Sequence, residues 1–194
     1  MMTIIILIVS VTLHEFGHAA MANVLGDSTS KKQGRLSLNP LVHADLYGSF
    51  IVPLVLWVLN VNFLLGWAKP VPVDPRYFKS PKWGLIAVAA AGPLMNLALI
   101  GCCQVLLGVT SDFLYPLLMS GIVINGTLLV FNLMPIPPLD GYQILSGLLP
   151  NHLLATLRRW ETVLSVIFFI LFFFYGFDYV LYPLISLLLN GVMG

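Results

Sequence analysis

The sequence predicts an all-α polytopic membrane protein: a helical bundle of about five to six membrane segments with a short re-entrant or edge-strand element. Three observations carry that expectation. Hydrophobic residues make up 59% of the 194 and charged residues only 9%, whereas a soluble surface takes roughly a quarter of its residues as charge. Apolar stretches recur at about the length needed to cross ~30 Å of hydrocarbon. One choice of crossings places all 9 basic residues on one side of the membrane, as the cytoplasmic bias of short loops favours. Residues 1–194 read as a single membrane-embedded domain, because the longest polar stretches, Gly26–Asp45 and Lys69–Lys82, are too short for a second, soluble one. A net charge of +1 offers no basic patch, so nucleic acid is not an expected partner.

Thr3–Leu25 is the first apolar segment, with no lysine or arginine before Lys31. Ala19, Ala20 and Ala22 imitate a signal-peptide cleavage site, but the basic n-region is missing and the segment is expected to be retained. Leu46–Trp67 is the second, and Pro53, Asn60, Asn62 and Gly66 make it a poor plain helix. Gly84–Val109 is the third. Ala87, Ala89, Ala90, Ala91 and Gly92 give it a small-residue face for close packing, where Asn96 is expected to bond a neighbouring helix. The adjacent Cys102 and Cys103 point about 100° apart on a helix and read as packing or lipid-facing residues. Phe113–Met134 is the fourth segment. From Glu161 onward the chain is again apolar, interrupted by Gly176-Phe177-Asp178 and by Pro183, which reads as one helix plus a broken piece or as two short helices.

If every stretch crossed once, Lys31, Lys32 and Arg35 would lie opposite Lys69, Arg76, Lys79 and Lys82. If Leu46–Trp67 enters and returns, or is brought back by the next segment, all basic residues share one side and the Thr110–Asp112 loop faces the other. The second solution is the expected one, with the N-terminus outside and the protein multi-pass in the cell membrane.

Within the first segment stands Leu13-His14-Glu15-Phe16-Gly17-His18. On a helix, His14 and His18 project from one face at neighbouring heights, and two neutral imidazoles so spaced can hold one zinc ion. Glu15 can then reach a water bound to it. Ionisable groups inside a membrane cost at least ~2.5–3.5 kcal/mol each, so three together need a reason, and metal binding supplies one. The pair lies roughly 10–17 Å from the cytoplasmic end of the helix. Catalytic zinc takes three protein ligands and leaves one position open. Asp140 is the preferred third ligand: Pro135, Pro137 and Pro138 unwind the end of the fourth segment just before it, and Gly141 permits a tight turn. Its alternative role is as a cap of the helix that begins at Gly141, and His43 and Asp45 are the runner-up ligands.

The HExxH at His14–His18, the Ala91-Gly92-Pro93-Leu94-Met95-Asn96 stretch, and Asn132 followed by the Pro-x-x-Pro-x-Asp-Gly ending at Gly141 together resemble the site-2 protease family of intramembrane zinc metalloproteases. Leu38-Asn39-Pro40 and His43-x-Asp45 look like its compact bacterial and archaeal branch, without a PDZ or CBS domain. The resemblance implies that His14, His18 and Asp140 are metal ligands, that Glu15 is the catalytic base, and that Asn132 is a polar group near the substrate carbonyl. An ordinary packing role for Asn132 stays equally open. The implied cofactor is one Zn2+ ion, the implied partner a transmembrane protein substrate in the bilayer, and the active site lies toward the cytoplasmic side. The first and fourth segments are expected to run parallel. A metal-ion transporter using the same ligands is the rival reading, although transport does not require Glu15. The resemblance also suggests an extended substrate-binding edge at Lys69–Val73, with Pro70 and Pro72 on the blunted side and Lys69, Val71 and Val73 keeping N–H and C=O groups open. A proline-stiffened linker is the alternative there.

Overall fold

A computed structural model describes residues 2–59, 66–109, 113–172, 182–183 and 185–187. Three of its helices are long and apolar enough to cross a membrane: α1 (Met2–Val24), α5 (Pro81–Leu107) and α6 (Tyr115–Asn132). They coincide with the first, third and fourth apolar stretches of the sequence. Side-chain pairs fix their directions. His14 and His18 on α1 meet Asn96 and Val88 on α5 in reverse order, so α1 and α5 are antiparallel. Asn96 meets Asn125, and Ile100 packs with Ile122, so α5 and α6 are antiparallel too. It follows that α1 and α6 run parallel, as expected.

The α1–α5 contact is close because both helices are small-sided there. A Cβ on Gly17 would stand 2.8 Å from the Ala91 carbonyl oxygen and 2.6 Å from Met95 Cγ. Ala22, packed with Phe78 and Val88, is 0% exposed, as is Ala19. Outside this seam, large apolar residues such as Ile4, Ile5, Val105 and Leu106 are exposed, which suits a lipid-facing perimeter.

Gly26 closes α1: its φ of 105° is the left-handed value that ends a helix, and Asp27 N–H reaches back to the Ala22 carbonyl at 2.9 Å. Asp27 then acts as a staple. Oδ1 accepts from Thr29 N–H at 2.8 Å and Oδ2 from Asp74 N–H at 2.7 Å, which ties the end of α1 to the segment entering α5. Between them lie the short helices α2 (Thr29–Lys32) and α3 (Pro40–His43).

The second apolar stretch behaves differently from the rest. Asp45 caps a π-helical turn over Leu46–Ile51, and this runs into α4 (Val52–Val58). At 1.5 Å per residue Leu46–Val58 reaches only about 20 Å, short of a bilayer. Asn60 and Asn62 fall outside the described residues. Where the chain resumes it is back at its starting point: Trp67 N–H donates to Gly48 O at 3.3 Å, and Ser49 Oγ donates to Trp67 O at 3.1 Å. Ala44 and Ala68 form an isolated antiparallel bridge.

The expected edge at Lys69–Val73 is corrected at its first residue. Among the described residues there is no strand, and Lys69 is not open. Its N–H donates to His43 O at 2.8 Å, and its carbonyl accepts from the buried Arg35 guanidinium at 2.9 Å. Arg35 also holds the Pro70 carbonyl at 3.2 Å. Prolines at 70 and 72 prevent a continuous ladder, so a single bridge and an arginine clamp hold the strip instead.

After α6 the prolines break the helix as the sequence implies. Residues 133–139 are irregular, and the buried Pro137 and Leu139 precede α7 (Asp140–Leu148). Helix α8 spans Asn151–Leu171, so it begins ahead of the apolar stretch that starts at Glu161. It packs Phe168 and Phe172 on Phe131 beside the Met134–Leu139 core, and Ser165 Oγ donates to Pro137 O at 3.0 Å. The Thr110–Asp112 loop and Gly176-Phe177-Asp178 lie outside the described residues.

The Asp27 staple gives a testable pH dependence. Burial opposes its charged form, but hydrogen bonds from Thr29 and Asp74 outweigh burial and hold its pKa below the ordinary 3.8. Because the folded value is the lower one, this contribution is complete above the ordinary carboxyl value and fades as pH falls through the folded value. Asp27→Ala should lower unfolding stability in detergent by about 1–3 kcal/mol at neutral pH. Denaturant titrations should show the gap from wild type shrinking in strongly acid buffer.

Candidate metal centre

The two histidines of α1 and the first residue of α7 meet beneath α5. His14 Nε2 and His18 Nε2 are 3.0 Å apart, and Asp140 Oδ2 lies 3.2 Å from the first and 3.3 Å from the second. The residues are 6%, 8% and 8% exposed, and they form a three-residue group whose ligand atoms converge. Among the described residues Asp140 Oδ2 is a buried atom without a hydrogen-bond partner.

The other ring nitrogens show what these atoms offer. His18 Nδ1 lies 2.7 Å from Val88 O, and a carbonyl oxygen only accepts, so Nδ1 carries the proton. His14 Nδ1 lies 2.6 Å from Asn96 Oδ1 and donates likewise. Both Nε2 atoms therefore present lone pairs, and with the carboxylate oxygen three acceptors face one another in a buried site. No donor among them relieves the repulsion; a cation between them does. Tetrahedral zinc with bonds of about 2.0–2.2 Å would hold such atoms about 3.3–3.6 Å apart, and the observed 3.0–3.3 Å is close to that and slightly tighter. The residues present fit one zinc ion with three protein ligands, leaving one position open.

Local sequence explains the convergence. Four-residue spacing puts both imidazoles on one helical face, edge to face at 4.7 Å between centroids. Gly92 makes room for them: a Cβ there would run into the His18 ring and stand 2.7 Å from His14 Cε1. Pro93 lacks an N–H and so leaves Ala89 O, four residues before it, without its helical donor; the neighbouring Val88 O accepts the His18 proton. Asp140 sits where the irregular proline segment becomes helix, and a Cβ on Gly141 would strike the Leu133 carbonyl. The helix-cap alternative does not describe Asp140, since α7 has no side-chain cap and Asp140 belongs to its first turn.

The runner-up ligands lie elsewhere. Asp45 accepts from Tyr47 and Gly48 N–H at 3.0 and 2.8 Å as a cap. His43 is buried, with Nε2 donating to Ser37 O at 2.8 Å. Glu15 is half-buried and adjacent to His14, and its carboxylate has no hydrogen-bond partner among the described residues. Asn132, at the last turn of α6, donates from Nδ2 to Leu128 O at 3.0 Å. Asn96 does more than the helix packing expected of it, because its oxygen takes the His14 proton. Asn125 was not singled out in the sequence, yet it is 2% exposed and accepts from Asn96 Nδ2 at 2.9 Å. The signal that could have found it is an asparagine inside an apolar helix, which needs a partner.

Two imidazoles and a carboxylate converging inside a bundle of apolar helices, with a second carboxylate beside them, define a membrane-embedded protein of the metal-dependent hydrolase type. The chain belongs to peptidase family M50, the site-2 protease family, whose profile matches residues 2–114. That match includes the histidine pair and Gly92–Asn96; Asp140 lies beyond it and is joined to them by the fold. A Bacillus subtilis (strain 168) protein named Putative zinc metalloprotease YwhC is 39% identical over 194 residues, covering 94% of this chain and 85% of its own length. Proteins bearing the same description with the name Rip2 are 34% identical in Mycolicibacterium smegmatis and 31% identical in Mycobacterium tuberculosis. These matches cover 84% of this chain but 64% of each Rip2 protein, so the chain spans less than two thirds of those relatives. No solved structure matches the chain.

The geometry separates ligands from neighbours by experiment. Asp140→Ala and Gly92→Ala should each reduce bound zinc by tenfold or more, the first by removing a ligand and the second by filling the space of the imidazoles. Asp45→Ala should leave zinc content near wild type. Metal analysis of the purified proteins decides it, and full zinc in Asp140→Ala would remove Asp140 from the site.

Proposed function

We propose that the protein is an intramembrane zinc metalloprotease, hydrolysing peptide bonds within or near the transmembrane segments of other membrane proteins. The observation that carries this reading is the convergence of three buried acceptors at 3.0–3.3 Å with Glu15 adjacent on the same helix. Bound there, one zinc ion would polarise the scissile carbonyl and lower the pKa of the attacking water. His14, His18 and Asp140 would hold it. Glu15 takes the proton of the attacking water and passes it to the leaving amine, and its lack of another partner suits that role. Asn132 is assigned a contact with the substrate carbonyl, reached by exchanging its bond to Leu128 O. The substrate must be locally unwound, because a helical peptide bond is shielded by its own hydrogen bonds. The backbone groups of Val71 and Val73, which have no hydrogen-bond partner among the described residues, are assigned to the main chain of that unwound segment.

The stretch Leu46–Trp67 is read as entering and leaving on one face, supported by the bonds that join Gly48 and Ser49 to Trp67. With α1, α5 and α6 crossing and the C-terminal region adding its segments, the bundle has about five to six membrane elements, and the metal site lies toward the cytoplasm.

A transporter would use the ligands without Glu15, so Glu15→Gln separates the two functions. That variant should keep its zinc and lose cleavage of a membrane-protein substrate by at least a hundredfold. Cleavage near the wild-type rate would remove Glu15 as the base.

Topology is read by thiol labelling in a background lacking Cys102 and Cys103. Single cysteines at Lys32, Lys79 and His152 should resist an impermeant reagent applied outside intact cells, while one at Val109 should react. Reaction at 32 but not at 79 would make Leu46–Trp67 a single crossing.

A further inference from the structure

Three side chains on three helices form a hydrogen-bonded line that begins at the metal site and ends on a backbone carbonyl. His14 Nδ1 on α1 meets Asn96 Oδ1 on α5 at 2.6 Å, and Asn96 Nδ2 meets Asn125 Oδ1 on α6 at 2.9 Å. Asn125 Nδ2 then meets Gly121 O at 2.8 Å. Asn96 is 0% and Asn125 2% exposed, so neither has water as an alternative partner.

The last contact sets the direction of all the others. Gly121 O can only accept, so Asn125 must turn its NH2 toward it and its oxygen toward Asn96. Asn96 must answer with its own NH2, which leaves its oxygen facing His14. His14 must then donate from Nδ1, which puts its lone pair on Nε2, toward Asp140 and His18. Were the Asn96 amide turned over, its NH2 would face Nδ1. The ring would then carry its proton on Nε2, which cannot ligate a metal while protonated. We infer that Asn125 is a positioning residue for the metal centre: through Asn96 it sorts the two ends of the amide and holds His14 in its Nδ1–H form.

His18 needs no such device, because Val88 O fixes its proton directly. The relay therefore acts on one ligand of the three, and it joins the metal site to α6, the helix that leads into the Asp140 segment.

This inference rests on the zinc reading, and the experiment keeps the two apart. Zinc affinity is measured on the purified full chain by competition with a chromogenic chelator, for wild type, Asn125→Leu, Asn96→Leu and the double variant. Asn125→Leu should weaken zinc by about 10–100-fold, the usual effect of losing a hydrogen-bond partner of a ligand. Added to Asn96→Leu, it should cost less than about twofold more, because the line is already cut. Independent, multiplying effects would overturn the relay, as would undiminished affinity in Asn125→Leu. In metal-free protein, 15N spectra of His14 should show the Nδ1–H form in wild type and a mixture in Asn125→Leu; identical spectra would also overturn it. Absence of zinc from wild type would instead sink the metal reading, leaving the His14 spectra as the test of the relay. Should leucine prevent folding, Asn125→Asp serves, since a buried neutral acid has both a donor for Gly121 O and an acceptor for Asn96. It should bind zinc within about threefold of wild type, and a tenfold loss would count against the relay.

Discussion

Three acceptor atoms held within 3.3 Å of one another, each nearly shut off from water, are the constraint to which the rest of the fold responds. In an apolar bundle such a cluster is unfavourable on its own, since each lone pair faces others and water is not there to separate them. Holding it together requires that each ligand be fixed from behind. Val88 O does this for His18 and Asn96 for His14, while the 133–139 segment, anchored by the buried Met134, Pro137 and Leu139, does it for Asp140. These supports come from α5 and the 133–139 connection, and Asn125 of α6 holds Asn96 in turn, so the site is the meeting point of the bundle.

The same constraint explains the small residues of α5. An imidazole donating Nδ1–H to a carbonyl on the opposite helix needs that backbone within a few ångströms of its own helix. Gly17 and Ala91 let the helices approach, and Gly92 leaves the space that the rings occupy. Pro93 then matters for what it lacks. Its missing N–H leaves Ala89 O without a helical donor, next to the Val88 O that takes the His18 proton. What the sequence presents as a stripe for helix packing is also the frame of the metal site.

The parts that could be read from sequence are those whose chemistry is local. His14, Glu15 and His18 are tied by helical spacing, and the three long apolar helices by bilayer thickness. Asp140 was legible because Pro135, Pro137 and Pro138 mark irregular backbone at a depth where that is otherwise penalised. What sequence left out depends on registers between helices. Asn96 and Asn125 are 29 positions apart, and their bond exists only because α5 and α6 pack antiparallel at that height. The capture of Lys69 by His43 O and Arg35 is equally non-local, and it changed the expected open edge into a strip already held at one end. The limit of Leu46–Trp67 was half legible: its polar and proline residues argue against a plain helix, but the return of Trp67 to Gly48 is a tertiary fact.

The ligands also differ in how firmly their backbones are held. His14 and His18 stand on one continuous helix, where the ladder fixes both Cα positions. Asp140 stands at a junction, and three features immobilise it. Gly141 lies directly on the Leu133 and Met134 carbonyls, Leu139 is buried beside Met134, and Ser165 of α8 bonds the Pro137 carbonyl. Phe168 and Phe172 cover the same segment by packing on Phe131. Helix α8 contributes no ligand, yet it braces the one ligand that no regular helix positions from both sides. On the proposed function, the site needs a rigid metal cage and an approach for an unwound chain. Here the rigid part is the α1–α5 seam and the braced proline segment. The parts with backbone groups still unpaired, Val71 and Val73, lie on the connection between the returning stretch and α5.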